Sequence, residues 1–238
     1  MSEVFRDARL FVAGHDLSGH MNALALTYGA DMLDATAMGD SARKHQGGLK
    51  SIVGNHQGLW ESGAGKPSAV LFTAVGGPGV PVVIAPTGGD AGSVAHMFQA
   101  THAEYTPGGS VGELLPFAVT MEGARGTPPV RGILAHNGEE EGNVTGTAYQ
   151  IGAAVTGQSV YAALHTLSGS GTFAVTVESD EDEDFLDPTA RIVFATVATG
   201  TAVAAEWKAL AGPVTDTWWR VTATNPATRN FAVAVGII

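Results

Sequence analysis

The amino-acid sequence predicts an all-β fold with one short helix, arranged as an N-terminal β-sandwich or barrel followed by a C-terminal β-sandwich. Three observations lead there. Hydropathy alternates with a period of two along most apolar stretches. Gly, Pro, Asn and Asp punctuate those stretches at short intervals. Gly reaches 32 of 238 residues, while charged residues make up only 15%, against roughly 25% in an average soluble protein.

The alternation marks individual strands. In Asn22 to Tyr28, Leu24, Leu26 and Tyr28 share one face, and in Leu115 to Glu122 the set is Leu115, Phe117, Val119 and Met121. Phe173, Val175 and Val177 repeat the pattern, as do Phe231, Val233, Val235 and Ile237. These read as half-buried strands. Beyond residue 144, strands are expected at Tyr149 to Ala153, Ser159 to Leu167, Thr172 to Glu178, Arg191 to Thr196, Trp218 to Thr224 and Phe231 to Ile238. One segment departs from the pattern. After Gly88-Gly89-Asp90, the residues Val94, Met97 and Phe98 fall at helical spacing, with Asp90 or Ser93 as N-cap. A helix is expected near 92–102, ending before Pro107. The polar run Asn137 to Asn143 reads as a solvated linker, dividing the chain into domains 1–136 and 145–238.

The formal net charge is −11 and is spread evenly, with 8 basic and 14 acidic groups up to residue 143 and 4 and 9 beyond it. No cluster of Lys and Arg offers a grip on nucleic acid. Cysteine is absent, which excludes disulfides, thiolate metal sites and a cysteine nucleophile. The opening MSEVFRDARLF lacks the apolar core of a signal peptide. With no run of about 18 apolar residues to cross a bilayer, synthesis and assembly in the cytoplasm, without a membrane partner, are expected. So sparse a surface charge favours burial against copies of the same chain.

Residues able to carry chemistry have a structural reading throughout. His15, Asp16, Ser18 and His20 sit together in Gly14 to His20, yet their spacing fits no zincin, calcium loop or nucleophile elbow. Asp and Ser in such a turn bond their own backbone. His96 and His165 read as ordinary core imidazoles. Glu178 to Asp187 holds seven carboxylates but lacks the order of a calcium loop, so Asp180 to Asp184 is expected in solvent. Gly76-Gly77-Pro78-Gly79 and Gly88-Gly89 match no phosphate-binding pattern and read as turns. Of Trp60, Trp207, Trp218 and Trp219, the adjacent pair must point to opposite faces of a strand, leaving one for the core. No catalytic residue, metal site or cofactor is expected.

The first 63 residues resemble the opening of the major tail protein, or tail tube protein, of long-tailed phages. The resemblance lies in Phe11 to Gly19, in Asp34 to Asp40 with Arg43, in Gly47-Gly48-Leu49-Lys50 and in Gly58-Leu59-Trp60-Glu61. It implies a first strand, a second strand, an extended loop and a third strand. It further implies stacked hexameric rings around a DNA-conducting channel, in a virion tail, with tape-measure and other tail proteins as partners. Double-stranded DNA would pass without specific binding. The loop from Asp40 to Lys50, with Asp40, Arg43, Lys44, Leu49 and Lys50, would then cross to a neighbouring subunit.

Two other readings share the composition. A capsid-decorating or tail-fibre subunit would be equally β-rich and sparsely charged, and would form trimers. A carbohydrate-binding β-sandwich would use Trp218 or Trp219 as a stacking platform and remain monomeric.

Overall fold

The computed structural model describes residues 7–124, 126–195, 203–224 and 227–238. Strands β1 (Arg9–Val12) and β2 (His15–Asp16) form a tight hairpin, and the long strands β3 (Met21–Asp34) and β4 (His45–Leu59) follow. Helix α1 (Pro67–Ala74) precedes β5 (Val80–Ala85), β6 (Val94–Pro107), β7 (Pro116–Gly123) and β8 (Val130–Glu140). The short β9 (Val144–Thr145) and β10 (Tyr149–Gln150) lead into β11 (Ser159–Gly169), β12 (Ala174–Asp180) and β13 (Thr189–Val193). The chain closes with β14 (Ala204–Ala211), β15 (Trp218–Thr224) and β16 (Arg229–Ile237). The all-β class with one short helix is therefore present.

Two compact units divide these elements. The first takes the chain up to Gly19, then Val80–Gln99 and Val130–Ile238; the second takes His20–Gly79 and Ala100–Pro129. The first unit is a sandwich. One sheet has the order β14-β11-β16-β8-β6-β5-β1-β2, and the other β10-β15-β12-β13 with β9 beside β15. Phe231, Val233 and Val235 of β16 meet Val175, Val177, Trp219 and Val221 of the facing sheet in one core. The intervening Ala232 and Ala234 point into a second core with Phe11, Val83 and Met97. Large residues toward one layer and alanines toward the other bury both faces of a single strand, as a pleat of period two requires.

The second unit is a smaller antiparallel sheet. β4 pairs with β3 on one side and with β7 on the other, and β7 pairs with the Ala100–Pro107 half of β6. Its buried face holds Ile52, His56, His102, Phe117, Val119 and Met121. The Phe117 ring meets His56 edge-on at 5.7 Å and Tyr105 at 6.1 Å. Gly58 is obligatory, because a Cβ there would lie 1.8 Å from the His20 carbonyl oxygen.

Three expectations are corrected. The helix does not lie at 92–102. Ala95 pairs with Gly132 and Met97 with Val130, and Ala95 and the whole of Met97 to Ala100 are buried. A strand buried on both faces loses its alternation, so chance helical spacing misleads. The helix lies instead at Pro67–Ala74, opened by Pro67 in the first turn, with Leu71 buried. Its apolar residues form no stripe, which hid it. The linker expected at Asn137 to Asn143 is largely strand, since Asn137 to Glu140 pair with Ala232 to Arg229. Residues on both sides of the 136/145 division accordingly share one core, Ala135 with Val233, and neither compact unit follows that division.

Buried histidines set the acid response. Burial pushes His56 down to about 4, with neighbouring His102 adding repulsion. Burial pushes His136 to about 4 and His165 to about 3. His165 Nδ1 accepts a hydrogen bond from the Gly14 amide at 3.1 Å, which only the neutral ring can do. The unfolded chain takes up these protons first, near 6.5, so the stability is fully present above that pH. It drains as pH falls from 6.5 toward 4, at about 1.4 kcal/mol per pH unit for each histidine involved. Urea denaturation between pH 7 and 4.5 should show this loss, and His56→Leu should reduce its slope by roughly a third, the share of one histidine in three; a level profile in the wild type would refute the assignment.

Candidate assembly surface

The β3–β4 hairpin is the longest paired feature of the second unit. Its register runs from Met21↔Gly58 to Asp34↔His45, with irregularities at Met21/Ala23 and Ala30/Met32. Fifteen residues of β4 extend about 50 Å. The half near Leu59 is half-buried and supported by β7, whose pairing stops at Val53↔Glu122. Past that point the ribbon consists of two strands alone. Nearly every residue from Thr27 to Ser51 is exposed, including Tyr28, Met32, Leu33, Met38 and Leu49. Two strands with no third and no covered face are marginal in water, and the five large apolar side chains of this hairpin are left exposed among the described residues.

The tip is nevertheless ordered by its own polar groups. The Ala35 amide donates to the Lys44 carbonyl, and the Lys44 amide to Thr36 Oγ1. The Ala37 amide donates to Asp40 Oδ2 at 2.8 Å, and Lys44 Nζ donates to Asp40 Oδ1 at 2.5 Å. Lys44 first and the Ala37 amide second hold the Asp40 carboxyl below its ordinary range. Gly39, at φ +100, closes the turn. The loop expected from Asp40 to Lys50 thus divides. Asp40, Arg43 and Lys44 lie in the tip, whereas Leu49 and Lys50 lie in β4, where Lys50 pairs with Ala30. The open edge of β4 beyond β7 borders a cavity of about 600 Å³, lined by Gly48 to Val53 and by residues of the 122–129 segment.

Other candidate residues are structural. Asp16 Oδ1 accepts the Ser18 amide at 2.9 Å, and Ser18 Oγ accepts the Leu10 amide at 2.9 Å, the local bonding expected of that turn. His20 Nδ1 lies 3.0 Å from Glu61 in the second unit. His96 lies on β6 and not on a helix. Trp219 is buried and donates its Nε1 proton to the Gly152 carbonyl at 2.9 Å, which removes it as a sugar platform; Trp218 and Trp207 are half-buried. Among the described residues, no three His, Asp or Glu side chains converge to hold a metal ion.

The acidic run requires one correction. Glu181 to Asp184 are exposed, but Asp180 is buried and accepts the amides of Asp182 and Asp187 at 3.1 and 3.0 Å. Phe185, at φ +49, folds inward beneath the Arg220 guanidinium, 4.3 Å from the ring centroid. Asp180 therefore builds the turn that its neighbours decorate. The run of like charges pointed to solvent for all five residues; the two amides that Asp180 accepts draw it inward.

No protein-family model matches the chain, and no curated protein matches it in sequence. Among solved structures it is similar to a chain of the tail of an empty GTA particle refined with C6 helical symmetry. That match has 13% identity over 44% of this chain and 78% of that one, with a TM-score of 0.37. A chain of the virion of a native gene transfer agent particle matches at 12% identity, covering 52% and 95%, with a TM-score of 0.44. The SPP1 Dit protein, a hub adsorption apparatus component of phages infecting Gram-positive hosts, matches at 11% identity, covering 98% and 100%, with a TM-score of 0.40. All three likenesses are remote.

Two measurements check the local picture. In the unassembled chain, amides of residues 30–50 should exchange with solvent far faster than those of Val53 to Leu59, since only the latter lie in a strand paired on both sides. Equal protection would contradict a free ribbon. Asp180→Ala should cost about 1–3 kcal/mol by orphaning two amides, whereas Glu183→Gln and Asp184→Asn should change stability by less than about 0.5 kcal/mol; thermal unfolding of the three variants separates the roles.

Proposed function

We propose that the chain is a structural subunit of a phage-type tail, which assembles with copies of itself through the β3–β4 hairpin. In its finer form the reading is of hexameric rings stacked around a DNA-conducting channel. The observation that carries it is the distal half of the hairpin. An ordered ribbon with five exposed large apolar side chains and a β3 edge that, among the described residues, pairs only with β4 is a surface for another chain. The sequence resemblance of residues 1–63 points the same way. A net charge of −11 with 12 Lys and Arg suits a wall past which phosphates slide without being held. Asp40, Arg43, Lys44, Leu49 and Lys50 are the proposed assembly residues, with the tip placing Arg43 and Lys44 and β4 placing Leu49 and Lys50.

Electron microscopy with light scattering tests this on the purified chain at rising concentration. Tubes or six-fold rings are expected. Replacing residues 35–44 by Asn-Gly should leave the thermal transition within a few degrees of wild type and abolish assembly. A chain that stays monomeric throughout, or a shortened chain that assembles as well as wild type, would overturn the proposal.

A further inference from the structure

We propose that the buried face of the second unit is an acid-operated release, in which charging of His56 and His102 opens β4, β7 and β6 and frees α1 while the first unit stays folded. The acid loss of stability described above belongs to the whole chain; this step belongs to one unit. The two imidazoles lie in one layer. His56 and Tyr105 flank Val119 from either side, and His102 lies opposite Met121, so all five side chains share one face of the sheet. Both histidines are 1% exposed. Both nitrogens of His56 and Nε2 of His102 have no hydrogen-bond partner among the described residues. A neutral ring bears this as an unmet donor or acceptor, whereas a charged ring there is a buried cation without a counter-ion.

The neighbouring elements supply no carboxylate to that face. Glu104 and Glu122 are exposed and pair with Thr120 and Val53, positions that point to the opposite face. Asp31 and Asp34 of β3, and His45 and Lys50 of β4, belong to the exposed half of the hairpin. Between β4 and α1, Glu61 is taken by His20 and Lys66 at 3.0 Å each. Helix α1 carries no acidic or basic side chain, and the Tyr105 phenol is uncharged in acid. Burial accordingly lowers both histidines, His56 to about 4 with repulsion from His102 as the second cause. Below about 6.5 the opened layer takes up protons that the closed layer refuses, so each pH unit favours opening about tenfold per histidine until the folded value is reached. The backbone of His102 carries the effect to α1. Val75, just past the helix, bridges to His102, whose carbonyl accepts the Gly76 amide at 3.0 Å. In the first unit, His136 has Glu140 3.8 Å away to offset a charge, and two cores support the fold. The buried large apolar side chains of the second unit, among the described residues, are Ile52, Leu71, Phe117, Val119 and Met121. A similar proton load therefore meets a smaller reserve, and the smaller unit opens first.

Hydrogen exchange of the unassembled chain, read by mass spectrometry from pH 7 to 4 and scaled to the intrinsic rate at each pH, tests the order of opening. Peptides of β7 and α1 should lose protection at a higher pH than peptides of β11 and β16. Between pH 7 and 5, β7 protection should fall at least about tenfold more in the wild type than in the double variant His56→Leu/His102→Met, which has no proton to take up in this layer. A histidine-labelled NMR titration of the wild type needs no variant and decides the matter even where the double variant fails to fold. The His56 and His102 rings should reach their charged chemical shifts in step with the loss of β7 protection. Loss of β7 and β16 protection together, an equal fall in the wild type and a folded double variant, or charging of both rings with β7 still protected would each overturn the release.

Discussion

Pairing of β16 on both sides is the constraint on which the first unit depends. This strand bonds to β11 along one edge and to β8 along the other, which places the last residues of the chain in the middle of its largest sheet. Burying both faces follows, because a central strand covered above and below must fill two cores at once. Phe231, Val233 and Val235 supply one and Ala232 and Ala234 the other. The alanines are as necessary as the large residues, since the second layer leaves room for a methyl group where Met97 and Phe11 already fill the space.

The same pairing explains why polar residues enter a strand. Asn137 to Glu140 contain nothing apolar, yet the end of β16 lies opposite them and their backbone has partners available. Backbone hydrogen bonds, once a neighbouring strand is fixed, outweigh the low strand propensity of Asn, Gly and Glu. Arg229, opposite Glu140, is fully buried with its guanidinium 5.0 Å from the Phe173 ring centroid and bonded to the Gly171 carbonyl at 2.7 Å. A cation enters the core only with such partners.

In the second unit the backbone is satisfied differently. β4 is central where β7 accompanies it and becomes one half of a two-stranded ribbon where β7 ends. The change from buried to exposed along β4 follows that step, with Ile52, Gly54, His56 and Gly58 buried and the preceding half exposed. Edge strands in soluble proteins are usually short, charged or covered. The β3 edge is long and largely uncharged, which is why the proposed assembly places a second chain there.

The sequence by itself determined the all-β class, most strands of the C-terminal half and the Asp16–Ser18 turn. Each is a local property, written in period-two hydropathy or in turn residues that bond to their own neighbours. Tertiary structure alone decided the rest. Val94 to Ala100 became strand because β7 and β8 were there to pair with it. Residues 137–140 became strand because β16 lay opposite. Helix α1 fell where Pro67 and its surroundings permitted, without an apolar stripe to announce it. Leu49 and Lys50 joined β4 because β3 continues that far, whereas the resemblance had assigned them to a loop. In each case the deciding partner lies far along the chain, and a strand's hydrogen bonds, unlike a helix's, are made with residues that local sequence does not contain.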